Sequence, residues 1–416
     1  MDKLTLNDIK IKSPGKQVKK IVIDRFGSLD DFASEIEMET KTLNQYLKER
    51  KLGSDTFKIR LSMVLGKGLD EIVKSEKTQT KEIVQSIYDN IRLYKTDEDL
   101  TILTKAKDLC VKNSLYLDIA KMQRNLAMYY FYRNQIDKAT GLIESAMDGI
   151  KNTTYLIKWK SELGLMYFYK CEYKESRKLY MEVDKLLGET NEVDEKTKYL
   201  HYYRYGILQN NSNHSALAER LFEKSLEYAQ TSIDKGDSIM NIGVSFERRK
   251  KYRKAIEYYR KALDFCEDDF NKSILFNNLA EIYRALEEYD KALYYVNLAL
   301  SCVDNENLSD LFICCQTHVQ ILMSKGKVDE AIDKLMELIN KTEDKFIYKK
   351  FIIDGINIII EYGWTMKNIN ILDDVDELVY KLIKSALSDN TEYIQELTSC
   401  LGKIRFYIKD IEGQFR

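Results

Sequence analysis

Between Asp237 and Val303 one pattern of small, aromatic and apolar positions is written twice. Asn241-Ile242-Gly243, Phe246, Tyr252, Lys254-Ala255, Tyr258 and Ala262-Leu263 recur as Asn278-Leu279-Ala280, Tyr283, Tyr289, Lys291-Ala292, Tyr295 and Ala299-Leu300, each displaced by 37 residues (243 to 280). A fixed period of this length predicts tandem helical hairpins, because one hairpin cannot bury its apolar face alone. The small residue lets the first helix sit against the second, Phe246 or Tyr283 fills the space between them, and Ala255 and Ala292 are the reciprocal small positions.

Weaker copies flank this pair. Asn125, Ala127, Tyr130, Ala139 and Ala146 mark one hairpin; Gly164, Tyr167, Ser176 and Tyr180 the next; Gly206, Ala218 and Phe222 a third; Val319, Leu322, Ala331 and Leu335 the sixth. The spacings are 37, 42, 37, 37 and 39 residues, which places the longest connection at the polar stretch 188–196 and a turn at 210–215. After 344 the pattern blurs into a degenerate seventh hairpin (351–364 and 373–387) and a last helix from 391, suited to capping or to pairing with a second copy. The small, aromatic, Ala, Ala order resembles the tetratricopeptide repeat, whose unit is about 34 residues, so the extra residues must lengthen helices or turns.

The first 75 residues follow a different rhythm. Val18, Ile21, Val22 and Phe26 predict one short helix ended by Gly27; Ser28 caps a second with Phe32, Ala33 and Ile36 inward; 40–47 forms a third that buries Leu43 and Leu47; 55–65 and 69–73 complete a bundle. Residues 76–118 read as linker helices with a first degenerate repeat, 119–344 as the recognisable repeats, and 345–416 as the degenerate C-terminal part.

Composition agrees with a long helical array: 416 residues hold one proline and 17 glycines, little material for linkers or tight turns. Net charge is −2, which excludes a generally basic nucleic-acid coat, although residues 1–75 carry 15 Lys/Arg against 12 Asp/Glu. No segment has the uninterrupted apolar length of a membrane span or signal peptide, so a cytoplasmic location is expected. The seven cysteines lack CxxC spacing and read as buried free thiols. His201, His214 and His318 are far apart and read as surface or groove residues, and no nucleotide, metalloprotease or hydrolase motif occurs. Catalysis and a cofactor are not expected.

The segment SLDDFASEIEMETKTLNQYLKERK resembles a helix-turn-helix of the bacteriophage-repressor type, with Ala33 at the helix crossing. Leu29 and Leu47 depart from it, standing where that family often has a glutamine and an acid. The resemblance implies a reading helix whose Thr40, Lys41, Thr42, Asn44 and Gln45 meet bases or backbone, with Lys48, Arg50 and Lys51 on phosphates of double-stranded operator DNA.

In the repeats, asparagine recurs two residues before the small position, at Asn125, Asn241 and Asn278, with Asn277 beside the last. An amide there offers one donor and one acceptor to the backbone of an extended peptide; the alternative is that it only ties neighbouring helices together. Val244, Glu281 and Gln320 lie one turn further on the same face, and Arg204, Arg248 and Arg284 add positive charge for a peptide carboxylate.

The whole plan is similar to the RRNPP family of quorum-sensing receptors (Rap, Rgg, NprR, PlcR, PrgX), with the arbitrium receptors of phages related. The resemblance implies an all-α chain: a helix-turn-helix bundle, then a right-handed superhelix of tetratricopeptide-like hairpins. It implies a homodimeric cytoplasmic regulator whose short signalling peptide switches operator binding. Two other readings stay open, a Rap-like receptor for a protein partner and a repeat scaffold without a peptide effector.

Overall fold

The computed structural model describes residues 3–48, 52–190, 192–303, 308–342, 349–385 and 391–414; among them every regular element is helical. Arg50 and Lys51 lie outside the described residues. The chain divides into two compact units, 1–193 and 194–416.

The N-terminal unit opens with a bundle of α1 (Pro14–Phe26), α2 (Leu29–Glu35), α3 (Thr40–Lys48), α4 (Asp55–Leu65) and α5 (Leu69–Ile72). Pro14 starts α1, where a missing N–H costs nothing, and the Ser28 and Ser54 hydroxyls accept from the backbone N–H of Asp31 and Phe57. Val18, Val22, Phe32, Ala33, Ile36, Leu43, Leu47, Phe57 and Leu61 form its core. Gly15 is dictated by approach: a Cβ there would lie 1.6 Å from the Leu47 carbonyl oxygen, so α1 crosses the end of α3 backbone to backbone.

The same unit continues with α6 (Glu76–Asp89), α7 (Asp97–Lys112), the hairpin α8 (Tyr116–Tyr132) with α9 (Ile136–Met147), and the hairpin α10 (Thr153–Tyr169) with α11 (Tyr173–Glu189). Residues 3–12 also belong to this second core. Ile9 is buried with Tyr94, Ile102 and Leu103, and Leu4, Leu6 and Ile11 pack against them.

The C-terminal unit holds hairpins α12 (Glu195–Asn211) with α13 (Ser215–Tyr228), α14 (Ser232–Arg248) with α15 (Tyr252–Leu263), α16 (Asp269–Ala285) with α17 (Tyr289–Cys302) and α18 (Leu308–Ser324) with α19 (Val328–Thr342). Beyond them lie α20 (Lys349–Thr365), α21 (Ile369–Ser385) and α22 (Thr391–Gln414).

Three local features differ from the sequence reading: the connection at 188–196, Cys171 and His201. The 42-residue spacing does not produce a longer loop: α11 has 17 residues where α9 and α15 have 12, so the five extra residues extend a helix. Adding hydrogen-bonded turns to an existing helix is favoured over ordering a longer loop. The turns inside the hairpins manage without glycine, using the left-handed conformation at Asn134, Cys171, Asn213, Lys250 and Glu287, with Gly326 in the same role in the sixth hairpin. Cys171 is therefore exposed, unlike the buried Cys110, Cys314, Cys315 and Cys400. His201 is fully buried against the rings of Tyr202 and Tyr205 rather than lying at a surface.

The small positions have a partner that periodicity did not assign. Gly164, Gly206 and Gly243 face Tyr180, Phe222 and Tyr259 on the second helix, each 16 residues later (206 to 222), and a Cβ would meet those rings at 3.0, 2.7 and 2.6 Å. Where the small residue is Ala280, position 296 holds the smaller Val296. Phe246 and Tyr283 instead stack on Tyr258 and Tyr295, with ring centroids 5.2 and 5.3 Å apart.

Candidate functional site

α12, α14 and α16 each have 17 residues and begin 37 residues apart (195, 232, 269), so their positions correspond one to one. At about 100° per residue, the side of α14 away from Gly243 and its own second helix carries Asp237, Asn241, Val244 and Arg248. These four are half-exposed or exposed, whereas Ile242, Gly243, Ser245 and Phe246 are buried. The matching stripe on α16 is Ile274, Asn278, Glu281 and Ala285, and on α12 Leu200, Arg204, Ile207 and Asn211. Val244 and Ile207 give this shared face an apolar floor.

Successive first helices are linked along it. The Asn241 Nδ2 donates to Tyr203 Oη (3.3 Å) and to the Asp237 carbonyl (2.9 Å), so both amide hydrogens are used and Oδ1 is left to accept. Asn241 thus ties helices and also presents an acceptor, combining the two alternatives. Asn277 is only 8% exposed and its Oδ1 has no hydrogen-bond partner. Burying an amide without a partner costs about 1–3 kcal/mol, so such a group beside the shared face calls for a ligand or water. Asn278 is half-exposed beside it, and Gln320 is half-exposed on α18.

The arginines are less available than expected. Arg248 donates to the Asn210 carbonyl at 3.1 Å, and Arg284 is paired with Glu281 at 2.6 Å. Arg204 is half-buried with no ion pair among the described residues. The sequence reading missed two carboxylates. Asp237 shares the stripe four residues before Asn241; burial, then neighbouring Asp234, pushes its carboxyl above the usual range. Glu247 is also raised by burial while it accepts from Tyr259 Oη. The i, i+4, i+7, i+11 spacing that runs through Asn241, Val244 and Arg248 starts at Asp237 and would have found it.

Asn125 does not belong to an open face. It is fully buried, accepts from Arg124 Nη1 at 3.0 Å, and lies beside an ion pair between Arg124 and Glu162. Asn125 is therefore closed to a peptide, because α6 and this pair cover the corresponding face of α8 and α10.

On the bundle, Leu43 and Leu47 are buried and Lys41, Gln45 and Lys48 are exposed; Thr40, Thr42 and Asn44 are half-buried, with Asn44 Nδ2 donating to the Thr40 carbonyl (3.1 Å). Exposed Lys16, Lys19 and Lys20 of α1 add positive charge. Asp30, Glu35, Glu37 and Glu39, all exposed, make α2 and the turn before α3 acidic. Among the described residues no group of His, Cys, Asp or Glu could hold a metal, and no helix is long and apolar enough to cross a membrane.

Comparison with known proteins agrees with the hairpin assignment. A tetratricopeptide-repeat family model matches residues 234–305. No curated protein matches the chain in sequence. Among solved structures, the apo form of RapI is similar at 16% identity and TM-score 0.54, over 80% of this chain and 98% of that one. A Rap protein complexed with competence and sporulation factor matches at 15% and 0.50, over 82% and 100%. The apo quorum sensor NprR from B. thuringiensis matches at 13% and 0.51, over 77% and 99%. At these identities the likeness is one of fold: this chain is an all-helical protein built on tetratricopeptide-like hairpins.

Proposed function

We propose that this chain is a cytoplasmic peptide-sensing regulator. A short linear peptide lies along the shared face of α12, α14 and α16, and its occupancy controls what the N-terminal bundle binds. The observation that carries this reading is the buried Asn277 side-chain carbonyl, which has no hydrogen-bond partner and lies next to Asn278, itself in register with the half-satisfied Asn241. Amide oxygens left open to accept, beside a half-exposed helix face, suit the N–H groups of an extended backbone. One of the fold neighbours, a Rap protein, was solved complexed with competence and sporulation factor, which is consistent with a ligand on this fold.

The test is capture from a pooled library of short synthetic peptides by the full chain, with bound peptides identified by mass spectrometry and their affinities measured by calorimetry. Asn277→Ala with Asn278→Ala is expected to weaken a captured peptide by about 1–3 kcal/mol per lost buried amide partner, tenfold or more in Kd. No captured peptide, or the same affinity in the double variant, would sink the reading.

For the bundle we propose operator DNA, contacted by α3 with Thr40, Lys41, Thr42, Asn44 and Gln45 and by Lys48, and read as paired half-sites by a homodimer. Selection of genomic fragments on the full chain should enrich a small set of sites. Lys41→Ala should then lower affinity uniformly and reduce the salt slope by about 1, whereas Gln45→Ala should relax specificity at one base pair. The acidic surface at Asp30, Glu35, Glu37 and Glu39 favours a second reading in which the bundle docks a basic protein. Absence of enriched sites, with function surviving Lys41→Glu, would select it.

A further inference from the structure

In the N-terminal unit the face that would correspond to the groove is already occupied. Lys121 and Lys158 stand six residues before Ala127 and Gly164, as Asp237 stands six before Gly243. There the Tyr88 ring of α6 lies 4.8 Å from Lys158 Nζ, 4.9 Å from the Arg124 guanidinium carbon and 5.8 Å from Lys121 Nζ. Trp159 Nε1 donates to Tyr88 Oη at 3.0 Å, Lys121 Nζ donates to Gln85 Oε1 at 3.2 Å, and Tyr155 meets the Tyr88 ring edge-on. An aromatic ring among cations, with its hydroxyl accepting from an indole, is held as a ligand would be.

The other end of α6 is fastened to the bundle. Gln79 accepts from the Lys12 N–H (2.8 Å) and donates to the carbonyls of Lys12 and Lys74 (both 3.0 Å). Gln17 mirrors it, accepting from the Lys74 N–H (2.8 Å) and donating to the same two carbonyls (both 3.0 Å). Lys12 and Lys74 are where the chain enters and leaves the bundle. Ahead of Lys12, the chain is pinned to the repeats by Ile9, by Lys3 paired with buried Asp99 (2.6 Å), and by the Leu4 N–H donating to Tyr94 Oη (3.1 Å). The bundle is thus held at two adjacent strands of chain by a glutamine clasp rather than hung on one linker.

We propose that α6 is a resident ligand of the first two hairpins and the element that couples them to the bundle: displacing Tyr88 from the α8–α10 face releases the Gln17–Gln79 clasp. Gln79 and Tyr88 are about 14 Å apart along one continuous helix, so tilting one end moves the other. This coupling holds whatever the ligand of the C-terminal unit or the partner of the bundle.

The test is hydrogen exchange, read by mass spectrometry on the full chain. Tyr88→Ala is expected to raise exchange about tenfold in α1 and in segments 12–17 and 74–79, as well as near residue 88. Ile143→Ala, a core change on α9, controls for general loss of stability and should leave the clasp segments unchanged. If Tyr88→Ala does not fold, Tyr88→Phe with Gln85→Ala is read the same way. An increase confined to residues 80–89, α8 and α10, with α1 and segments 12–17 and 74–79 unchanged, or an equal increase in the clasp with Ile143→Ala, overturns the proposal.

Discussion

Replacing Glu162 by alanine is expected to destabilise the protein by about 3–5 kcal/mol, because it leaves the Arg124 guanidinium buried without its counter-charge. Both side chains are 5% exposed; Arg124 Nε donates to Glu162 Oε2 at 2.7 Å and Nη2 to Oε1. Burial alone would lower the Arg124 pKa, and the Glu162 carboxylate more than reverses this, raising it. The bidentate geometry fixes the guanidinium plane, and Tyr88 covers it. Substituting both members, Arg124→Met with Glu162→Leu, should restore most of the loss, since an apolar pair of similar volume requires no desolvation of charge. Urea unfolding monitored by circular dichroism decides the matter. A loss below about 1 kcal/mol in Glu162→Ala would mean that water reaches the pair and that it acts as a surface bridge.

Gly206→Ala is expected to cost about 1–3 kcal/mol from overpacking, reduced by the helix propensity that alanine contributes over glycine, about 1 kcal/mol. The added methyl would sit 2.7–2.9 Å from three carbons of the Phe222 ring, which is fully buried and packed edge-on against Tyr203. Phe222→Leu alone should also destabilise, by creating a void. Combined, the two changes should cost less than their sum, with a coupling of about 0.5–3 kcal/mol, because the smaller side chain vacates the space the methyl needs. Thermal and urea unfolding of the four chains measure the cycle. Strict additivity would show that the complementarity between a small residue and the residue 16 positions later, seen from Gly164–Tyr180 to Ala280–Val296, does not set helix approach.

The sequence by itself determined the all-helical class, the hairpin register and the inward positions. Periodicity reports which side chains share one face of one helix, and that is a local property of the chain. Gly243 and Ala280 at a 37-residue displacement, and Leu43 and Leu47 four apart in α3, were readable for that reason. The same logic placed Asn241 and Asn278 on a face with no second helix against it.

Tertiary structure alone decided which faces stay open and which charges are consumed. Asn125 and Asn241 occupy equivalent positions, yet α6 and the Arg124–Glu162 pair cover the first and leave the second half-exposed. Arg248 and Arg284 look like free cations until Asn210 and Glu281 are seen to engage them. Residues 3–12 carry no repeat pattern of their own, yet Ile9 and the Lys3–Asp99 pair bind them into the repeat core. In all but the Arg284–Glu281 pair, which is local to α16, the partner lies tens of residues away, and in each case its approach depends on how whole helices pack. That packing is fixed by the sum of many weak contacts, which no local pattern encodes.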